Sequence, residues 1–175
     1  MNCWRKIIKW LIAKRIEAII YKNSKLKNHE RTALYKKIIK MGNHCVIKSG
    51  CIITEPENIV MGDGVSVQHN CYLSGYGGLK IGNDVSIGTG TKIFTSKHPY
   101  SGYKEKEKAI KYVPLEETPV VIGNNVIMGA NSIILGGVAI GDNVMIGAGS
   151  VVTKDIPSNS VYAGDPAKFI RRIEI

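Results

Sequence analysis

Histidine is the residue type in this sequence best suited to proton transfer near neutral pH, and the chain has four: His29, His44, His69 and His98. An unperturbed imidazole has a pKa of about 6.5, so it can serve as a general base without a metal. Only His98 stands at a change of sequence character, where a repetitive stretch gives way to a polar one. We take His98 as the candidate base, while the residues alone fit a surface histidine equally well.

The elements that would position His98 follow a six-residue period that begins near residue 41. A period of six fits neither the turn of an α-helix nor a simple strand alternation, but it suits a coil of short strands joined by turns. The repeated aliphatic residues are Met41, Ile47 and Ile53; Met61, Val67 and Leu73; Ile81, Ile87 and Ile93; and Ile122, Met128, Ile134, Ile140, Ile146 and Val152.

Three such hexads, about eighteen residues, would close one triangular coil, and stacked coils bury a core that no single coil could bury alone. The sequence therefore predicts an all-β fold, a parallel β-helix of hexapeptide repeats. A second set of small or aliphatic residues lies four positions after each repeat position, and Cys45, Cys51 and Cys71 belong to it. A buried thiol packs as a small hydrophobe, and CxxC pairs are missing, so we expect neither disulfides nor a thiol nucleophile.

Residues 99–118 interrupt the repeat with a polar and charged segment that ends near Glu116 and Glu117. A long segment of this kind in a compact domain is a loop that usually has a function. His98 lies directly before this loop, which favours a catalytic role for its imidazole.

The two ends of the chain differ from the repeats. We predict a basic helical segment over residues 1–40, with a second helix from Asn28 to Lys40, and the β-helix over residues 41–164. A short C-terminal helix, started by Asp165 and Pro166, is predicted over residues 165–175. The first helix, residues 4–21, is expected to be amphipathic, with an apolar face of Trp4, Ile8, Leu11, Ile12, Ile16 and Ile19.

The net charge of +10 is confined to one end of the chain. Residues 1 to 40 hold twelve Lys and Arg against two Glu, whereas residues 41 to 175 hold twelve basic against twelve acidic residues. A basic segment attracts anionic partners, and residues 1–22 with their tryptophans fit an anionic membrane surface, although a solvated helix face remains an alternative. The uncharged runs near the start are too short for a signal core, so we expect a cytoplasmic protein, peripheral at the inner membrane face.

The hexads, the step Lys97-His98-Pro99, the loop and the closing run from Ile146 to Lys168 resemble the hexapeptide-repeat acyltransferases. The maltose and galactoside O-acetyltransferases and the polysaccharide O-acetyltransferases are the most similar branch. The resemblance covers residues 41–175 and implies a left-handed parallel β-helix that forms a homotrimer, with active sites between neighbouring subunits.

The resemblance also implies the reaction. His98 would remove the proton of an acceptor hydroxyl as its oxygen attacks the thioester of acetyl-CoA, without an acyl-enzyme and without a metal. The expected acceptor is a sugar or a surface-polysaccharide precursor. The positions that match the family's CoA contacts are Gly129, Ala130, Ala148, Thr153, Lys154, Lys168 and Arg171.

The acceptor side departs from the family pattern. Where the sugar enzymes have Asn-Phe-Asn, this chain has Gln68-His69-Asn70, so Asn70 and Gln68 are the candidate acceptor contacts. The acidic residue that assists the histidine in the family corresponds to Glu116 or Glu117, of which we choose Glu116.

Three other functions compete with this interpretation. A zinc carbonic anhydrase on the same coil needs further histidines after the candidate base, and none follows His98. Acetyl transfer to serine or to a xenobiotic alcohol is a second alternative, and a non-catalytic β-helix scaffold is the third. The loop and the retained His98 count against the scaffold.

Overall fold

A computed structural model describes residues 3–23, 25–99 and 113–174, and its central part is a parallel β-helix with a triangular cross-section. Three sheets form its faces, which we call faces A, B and C. Face A contains five strands, face B seven and face C five. We call the turns that lead from face B to face C the B–C corner, and those that lead from face C to face A the C–A corner.

The strands are short, and those with the same place in successive coils are stacked. Face A consists of β1 (Lys40–Met41), β4 (Ile59–Met61), β7 (Leu79–Ile81), β12 (Val120–Ile122) and β15 (Ala139–Ile140). Face B consists of β2 (Val46–Ile47), β5 (Ser66–Val67), β8 (Ser86–Ile87), β13 (Val126–Met128), β16 (Val144–Ile146), β18 (Ser160–Ala163) and β19 (Lys168–Arg172). Face C consists of β3 (Ile52–Thr54), β6 (Tyr72–Ser74), β9 (Lys92–Ile93), β14 (Ile133–Ile134) and β17 (Val151–Val152).

The repeat positions predicted from the sequence form the core of this prism. All of them are buried except Met41, which is partly buried in the first coil. Ile47, Val67, Ile87, Ile93 and Ile134 have no exposed side-chain surface. The period of six residues therefore marks the inward-facing position of each strand, as predicted.

The second set of predicted inward positions contains small polar side chains that donate hydrogen bonds to backbone carbonyls of the next coil. Thr91 Oγ1 donates a hydrogen bond to the carbonyl of Gly129 (3.1 Å), and Cys71 Sγ donates to the carbonyl of Gly88 (3.2 Å). Cys45, Cys51 and Cys71 are free thiols, and contact with Cys71 together with burial raises the pKa of the Cys51 thiol. These side chains satisfy turn carbonyls inside the prism, which agrees with a packing role.

The coils are not all of the predicted length. Stacked residues are 20 positions apart in the first coils, as for Asp63 and Asn83, and 18 apart later, as for Asn124 and Asp142. The excess lies at the C–A corner, where a single 3-10 turn, Pro56–Asn58, and the Gly75 to Gly78 segment widen the turn. The long loop is inserted at this same corner, so stacked residues on either side of it, Asn83 and Asn124, are 41 positions apart.

Two helices cover the first coil. Helix α1 (Cys3–Lys22) packs on α2 (Asn28–Tyr35) and on the 3-10 turn through Ala13, Ile16 and Ile20. The second helix is shorter than predicted, because residues 36–39 form turns and Lys40 already pairs with Val60 in face A. The apolar face predicted for α1 is also different: of Ile8, Leu11, Ile12, Ile16 and Ile19, only Ile16 is buried.

The predicted C-terminal helix is wrong. After a turn that contains the cis peptide bond between Asp165 and Pro166, residues 168–172 form β19, which pairs antiparallel with β18. Without β19 the strand β18 would be the open edge of face B, and an unpaired edge is a site of aggregation. The aromatic ring of Phe169 packs edge-on against Tyr162 (5.8 Å between ring centroids), which favours the strand further.

In the part of the chain that the structure describes, none of the helices is both long enough and apolar enough to cross a membrane.

We expect Ile134→Ala to be strongly destabilising and Ile133→Ala to be mild. Ile134 has no exposed surface and is stacked between Ile93 and Val152, so truncation leaves a cavity that costs about 2 to 5 kcal/mol. Ile133 is the adjacent residue of the same strand and is partly exposed on the outside. Denaturant unfolding of both variants measures the difference, and equal midpoints would contradict the assignment of inward and outward positions.

Candidate active site

The candidate base His98 is exposed and lies at the root of the long loop. Two short strands form this root: β10 (Ser96–Lys97) pairs antiparallel with β11 (Glu116–Glu117). Lys97 Nζ and Glu116 Oε2 form an ion pair across it at 3.7 Å. Residues 100–112 of the loop lie outside the described residues, so the predicted loop is observed only at its two ends.

The backbone under His98 is held by buried hydrogen bonds. Thr95 is fully buried, and its Oγ1 donates to the carbonyl of Ser74 (3.2 Å) while it accepts from the backbone N–H of Gly77 (3.0 Å). The N–H of Thr118 donates to the carbonyl of Thr95 (2.9 Å), which closes the loop root. Buried hydrogen bonds therefore fix the backbone at Thr95, three residues before His98, and we call this point the Thr95 platform. The side chain of His98 itself faces solvent.

Four of the predicted site residues share the C–A corner. Ile93, Ile134 and Val152 are aligned in face C, and the chain leaves the face after each of them. His98 and Glu116 belong to the turn that follows Ile93, while Thr153 and Lys154 belong to the turn that follows Val152. Thr153 and Lys154 are exposed, as are His98 and Glu116.

The other predicted contacts form a separate ladder on the B–C corner. Backbone hydrogen bonds connect its coils, from Gly90 N to His69 O (2.9 Å) and from Gly149 N to Ala130 O (2.8 Å). The residues on this ladder are Gln68 and Asn70 in the second coil, Gly129 and Ala130 in the fourth, and Ala148 in the fifth. The two sets of candidate residues thus occupy two different edges of one prism.

Lys168 and Arg171 are on β19 instead of a helix, and both are exposed. Lys168 pairs with Ala163, at the end of face B that leads into the B–C corner, and the neighbouring Ala167 N–H donates to the carbonyl of Val151 (2.8 Å). Arg171 is opposite Val161, farther along face B. The strand therefore places Lys168 next to the upper end of the ladder and Arg171 farther from it, along face B.

Two of the proposed contacts have a structural explanation of their own. Asn70 has a left-handed backbone (φ 59°). Its Oδ1 occupies the space that a β-carbon at Gly50, in the coil below, would need. A β-carbon at Gly129 would collide with the backbone of Ala148, so glycine is required there by the stacking of the coils. Their residue types are therefore explained by packing whether or not a ligand contacts them.

His69, which the sequence did not single out as a candidate site residue, has a hydrogen-bond partner in the structure. Ser49 Oγ and His69 Nδ1 are 2.8 Å apart, so a hydrogen bond orients the ring between Gln68 and Asn70 and leaves the other nitrogen for a further contact. The only signal in the sequence was the spacing of 20 positions between Ser49 and His69. That spacing equals the distance between the first members of the early repeat sets, Met41, Met61 and Ile81, so the 20-residue period of the first coils is visible in the sequence.

Comparison with known proteins was consistent across sequence and structure. The family model described as "Hexapeptide repeat of succinyl-transferase" matches residues 119–154. A candidate acetyltransferase of Schizosaccharomyces pombe is 38% identical over 117 residues, which are 67% of this chain and 54% of that protein. The galactoside acetyltransferase structure in complex with coenzyme A has 29% identity and a TM-score of 0.81, over 95% of this chain and 82% of that one.

Two further structures agree with this similarity. The hexapeptide-repeat acetyltransferase VCA0836 of Vibrio cholerae, complexed with acetyl coenzyme A, has 27% identity and a TM-score of 0.79, over 94% of this chain and 86% of that one. A maltose O-acetyltransferase of Clostridium difficile has 27% identity and a TM-score of 0.72, over 93% and 84% of the two chains. This chain belongs to the hexapeptide-repeat acetyltransferase family.

Membership of the hexapeptide-repeat acetyltransferase family confirms the predicted family and the predicted fold, a left-handed parallel β-helix. The chain spans a little over half the length of the curated relatives it matches, such as 54% of the S. pombe protein. The roles of His98, Glu116 and the candidate ligand contacts stay predictions.

Proposed function

We propose that this hexapeptide-repeat protein transfers an acetyl group from acetyl-CoA to a hydroxyl of a sugar or of a surface-polysaccharide precursor. The observation that carries the proposal is the position of His98, an exposed imidazole directly after the buried platform of Thr95 and beside the ion pair of Lys97 and Glu116. A base must reach the proton of an incoming acceptor, and His98 is open to solvent at the entrance of the loop.

The proposed chemistry is a direct transfer. His98 removes the proton of the acceptor hydroxyl while the hydroxyl oxygen attacks the carbonyl carbon of the thioester. The tetrahedral intermediate collapses with cleavage of the carbon–sulfur bond, and the proton passes from His98 to the CoA thiolate. The products are the acetyl ester and CoA. Glu116, held at the loop root by Lys97, is proposed to orient the imidazole or the acceptor.

We further propose that the active protein is a homotrimer and that each site uses two neighbouring subunits. Within one chain, His98 and Lys154 are at the C–A corner, whereas Ala130 and Ala148 are at the B–C corner. A ring of subunits that contact one another through different surfaces brings these two corners together at each interface. The exposed backbone of Ala130 and Ala148 would then bind the pantetheine arm, and Lys154, Lys168 and Arg171 the phosphates.

The sugar as acceptor is supported by the maltose and galactoside enzymes among the similar structures. The polar side chains of Gln68 and His69 on the B–C corner suit hydroxyl groups as hydrogen-bond partners. A cytoplasmic location is proposed because Cys45, Cys51 and Cys71 are free thiols, which are typical of a reducing compartment.

A direct test measures thiol release from acetyl-CoA in the presence of sugars, sugar nucleotides, serine and chloramphenicol-like alcohols. We expect turnover with the sugar class and no detectable turnover with serine. Turnover with serine or with a xenobiotic alcohol instead would contradict the proposed acceptor. Failure to bind acetyl-CoA in calorimetry would contradict the proposal that the protein is an acetyl-CoA-dependent enzyme.

A further inference from the structure

The first half of α1 carries five large apolar residues whose side chains are exposed. Ile7, Ile8, Trp10, Leu11 and Ile12 have 44%, 52%, 51%, 54% and 47% of their surface exposed. A contiguous set of exposed large apolar residues marks an interaction surface.

The second half of α1 behaves differently and attaches the helix to the β-helix. Ala13, Ile16 and Ile20 are buried, and Ile16 and Ile20 belong to the same apolar core as the first coil. Lys14 Nζ donates a hydrogen bond to Glu17 Oε2 (3.0 Å), and this bond raises the pKa of Lys14. The contacts of the second half thus leave the exposed residues Ile7, Ile8, Trp10, Leu11 and Ile12 uncovered, and we call these five residues the free half of α1.

The charge of the helix restricts what can cover the free half. Residues 3–22 contain six Lys and Arg and a single acidic residue, Glu17, which Lys14 neutralises. A second copy of the chain would bring the same positive charge against it, which opposes pairing of two α1 helices. A nucleic acid would match the charge, but its phosphate backbone offers no apolar environment for Ile8 or Leu11. An anionic lipid surface matches both the charge and the apolar side chains.

We propose that α1 binds anionic membrane surfaces, with its free half in the interface between headgroups and acyl chains. The apolar side chains of Ile8, Trp10 and Leu11 enter the acyl boundary, and the exposed basic side chain of Arg15 contacts the lipid phosphates. Ala13, Ile16 and Ile20 keep the β-helix attached to the bound helix. This binding does not depend on acetyl transfer, so it can hold even if the proposed reaction fails.

Both tryptophans of the chain, Trp4 and Trp10, lie within α1, so intrinsic tryptophan fluorescence reports on this helix alone. The full chain is mixed with vesicles of phosphatidylcholine, with or without about a third of phosphatidylglycerol, and binding is also measured by flotation. We expect a blue shift and flotation with the anionic vesicles, and release as the salt concentration rises.

Three variants test the mechanism. Leu11→Glu is expected to weaken binding to anionic vesicles by about tenfold or more, because it replaces an exposed apolar side chain proposed to enter the acyl boundary with a charged one. Arg15→Gln removes one charge, and the expected loss is about fivefold. The matched control is Val121→Glu, which puts the same charge on a similarly exposed residue of face A, 43% exposed, and is expected to bind as the wild type.

Several results would overturn the proposal. Equal binding to neutral and anionic vesicles would show that the basic side chains of α1 do not attract it to lipid. Wild-type affinity of Leu11→Glu for anionic vesicles would show that Leu11 does not enter the acyl boundary. A blue shift that depends on protein concentration without lipid would show that a second copy covers the free half. Circular dichroism of each variant checks that α1 is still folded, so loss of binding cannot be confused with loss of the helix.

Discussion

His98→Ala is expected to lower kcat/KM for acetyl transfer by about 10²- to 10⁴-fold, the range typical for loss of a general base. The imidazole is exposed, and no hydrogen bond of its side chain to another described residue was found, so truncation leaves the coils and the buried Thr95 platform intact. The affinity for acetyl-CoA should stay within about twofold, because an interaction made only in the transition state affects kcat and not ground-state binding. Steady-state kinetics and calorimetry measure the two quantities.

The matched control for this variant is His29→Ala. His29 is another exposed histidine, located on α2 at the opposite end of the stack from β18. Its truncation should leave kcat/KM unchanged. If His98→Ala retained wild-type activity, or if His29→Ala lost as much, the assignment of the base would be refuted, while the proposal for α1 and lipid would be unaffected.

The fold was predictable from the sequence because the six-residue period that defines it is complete within each coil. A stacked coil places one aliphatic side chain on the axis for each hexad, so residues such as Ile87, Ile93 and Ile134 reveal the inward position by spacing alone. The extra length of the early coils appears only between the sets of hexads, since Met41, Met61 and Ile81 are 20 positions apart. Additional residues at the C–A corner, such as the 3-10 turn Pro56–Asn58, alter the spacing between coils without altering the hexads within them.

The C-terminal segment shows where local signals were insufficient. Pro166 followed by basic residues fits a helix start, but Phe169 and Ile170 favour a strand, and the open edge of β18 decides between the two. A partner strand provides hydrogen bonds that no inspection of residues 165–175 alone would reveal. The same reason explains the misassigned face of α1: which of its apolar residues are buried depends on how the helix rests on the first coil.

The position of His98 could be predicted, because a loop that interrupts a repeat is visible in the sequence. The division of the candidate site between two corners follows only from the register of the coils. His98 comes after Ile93 and Lys154 after Val152, residues aligned in face C, whereas Ala130 and Ala148 come after residues aligned in face B. The contacts proposed from the family therefore lie on two separate edges of one prism.

Two inactive variants are therefore expected to restore activity when they share a trimer. His98→Ala removes the base at the C–A corner, and Ala148→Glu puts a bulky charged side chain on the exposed B–C corner, where the pantetheine arm of CoA is proposed to bind. In a random mixture of the two chains, each interface combines an intact C–A corner with an intact B–C corner in roughly a quarter of the cases, so about a quarter of the wild-type activity should return.

The control for this mixture is the double variant that carries His98→Ala and Ala148→Glu in one chain. Coexpressed with either single variant it provides no interface with two intact corners, so no activity should return. Purification with two different affinity tags and native mass spectrometry establish that mixed trimers are present. If mixed trimers form and activity stays absent, each site lies within one subunit, and if no trimer forms, the division of the site between subunits is wrong. A return near a quarter has no explanation within a single chain, because neither variant alone contains both an intact base and an intact B–C corner.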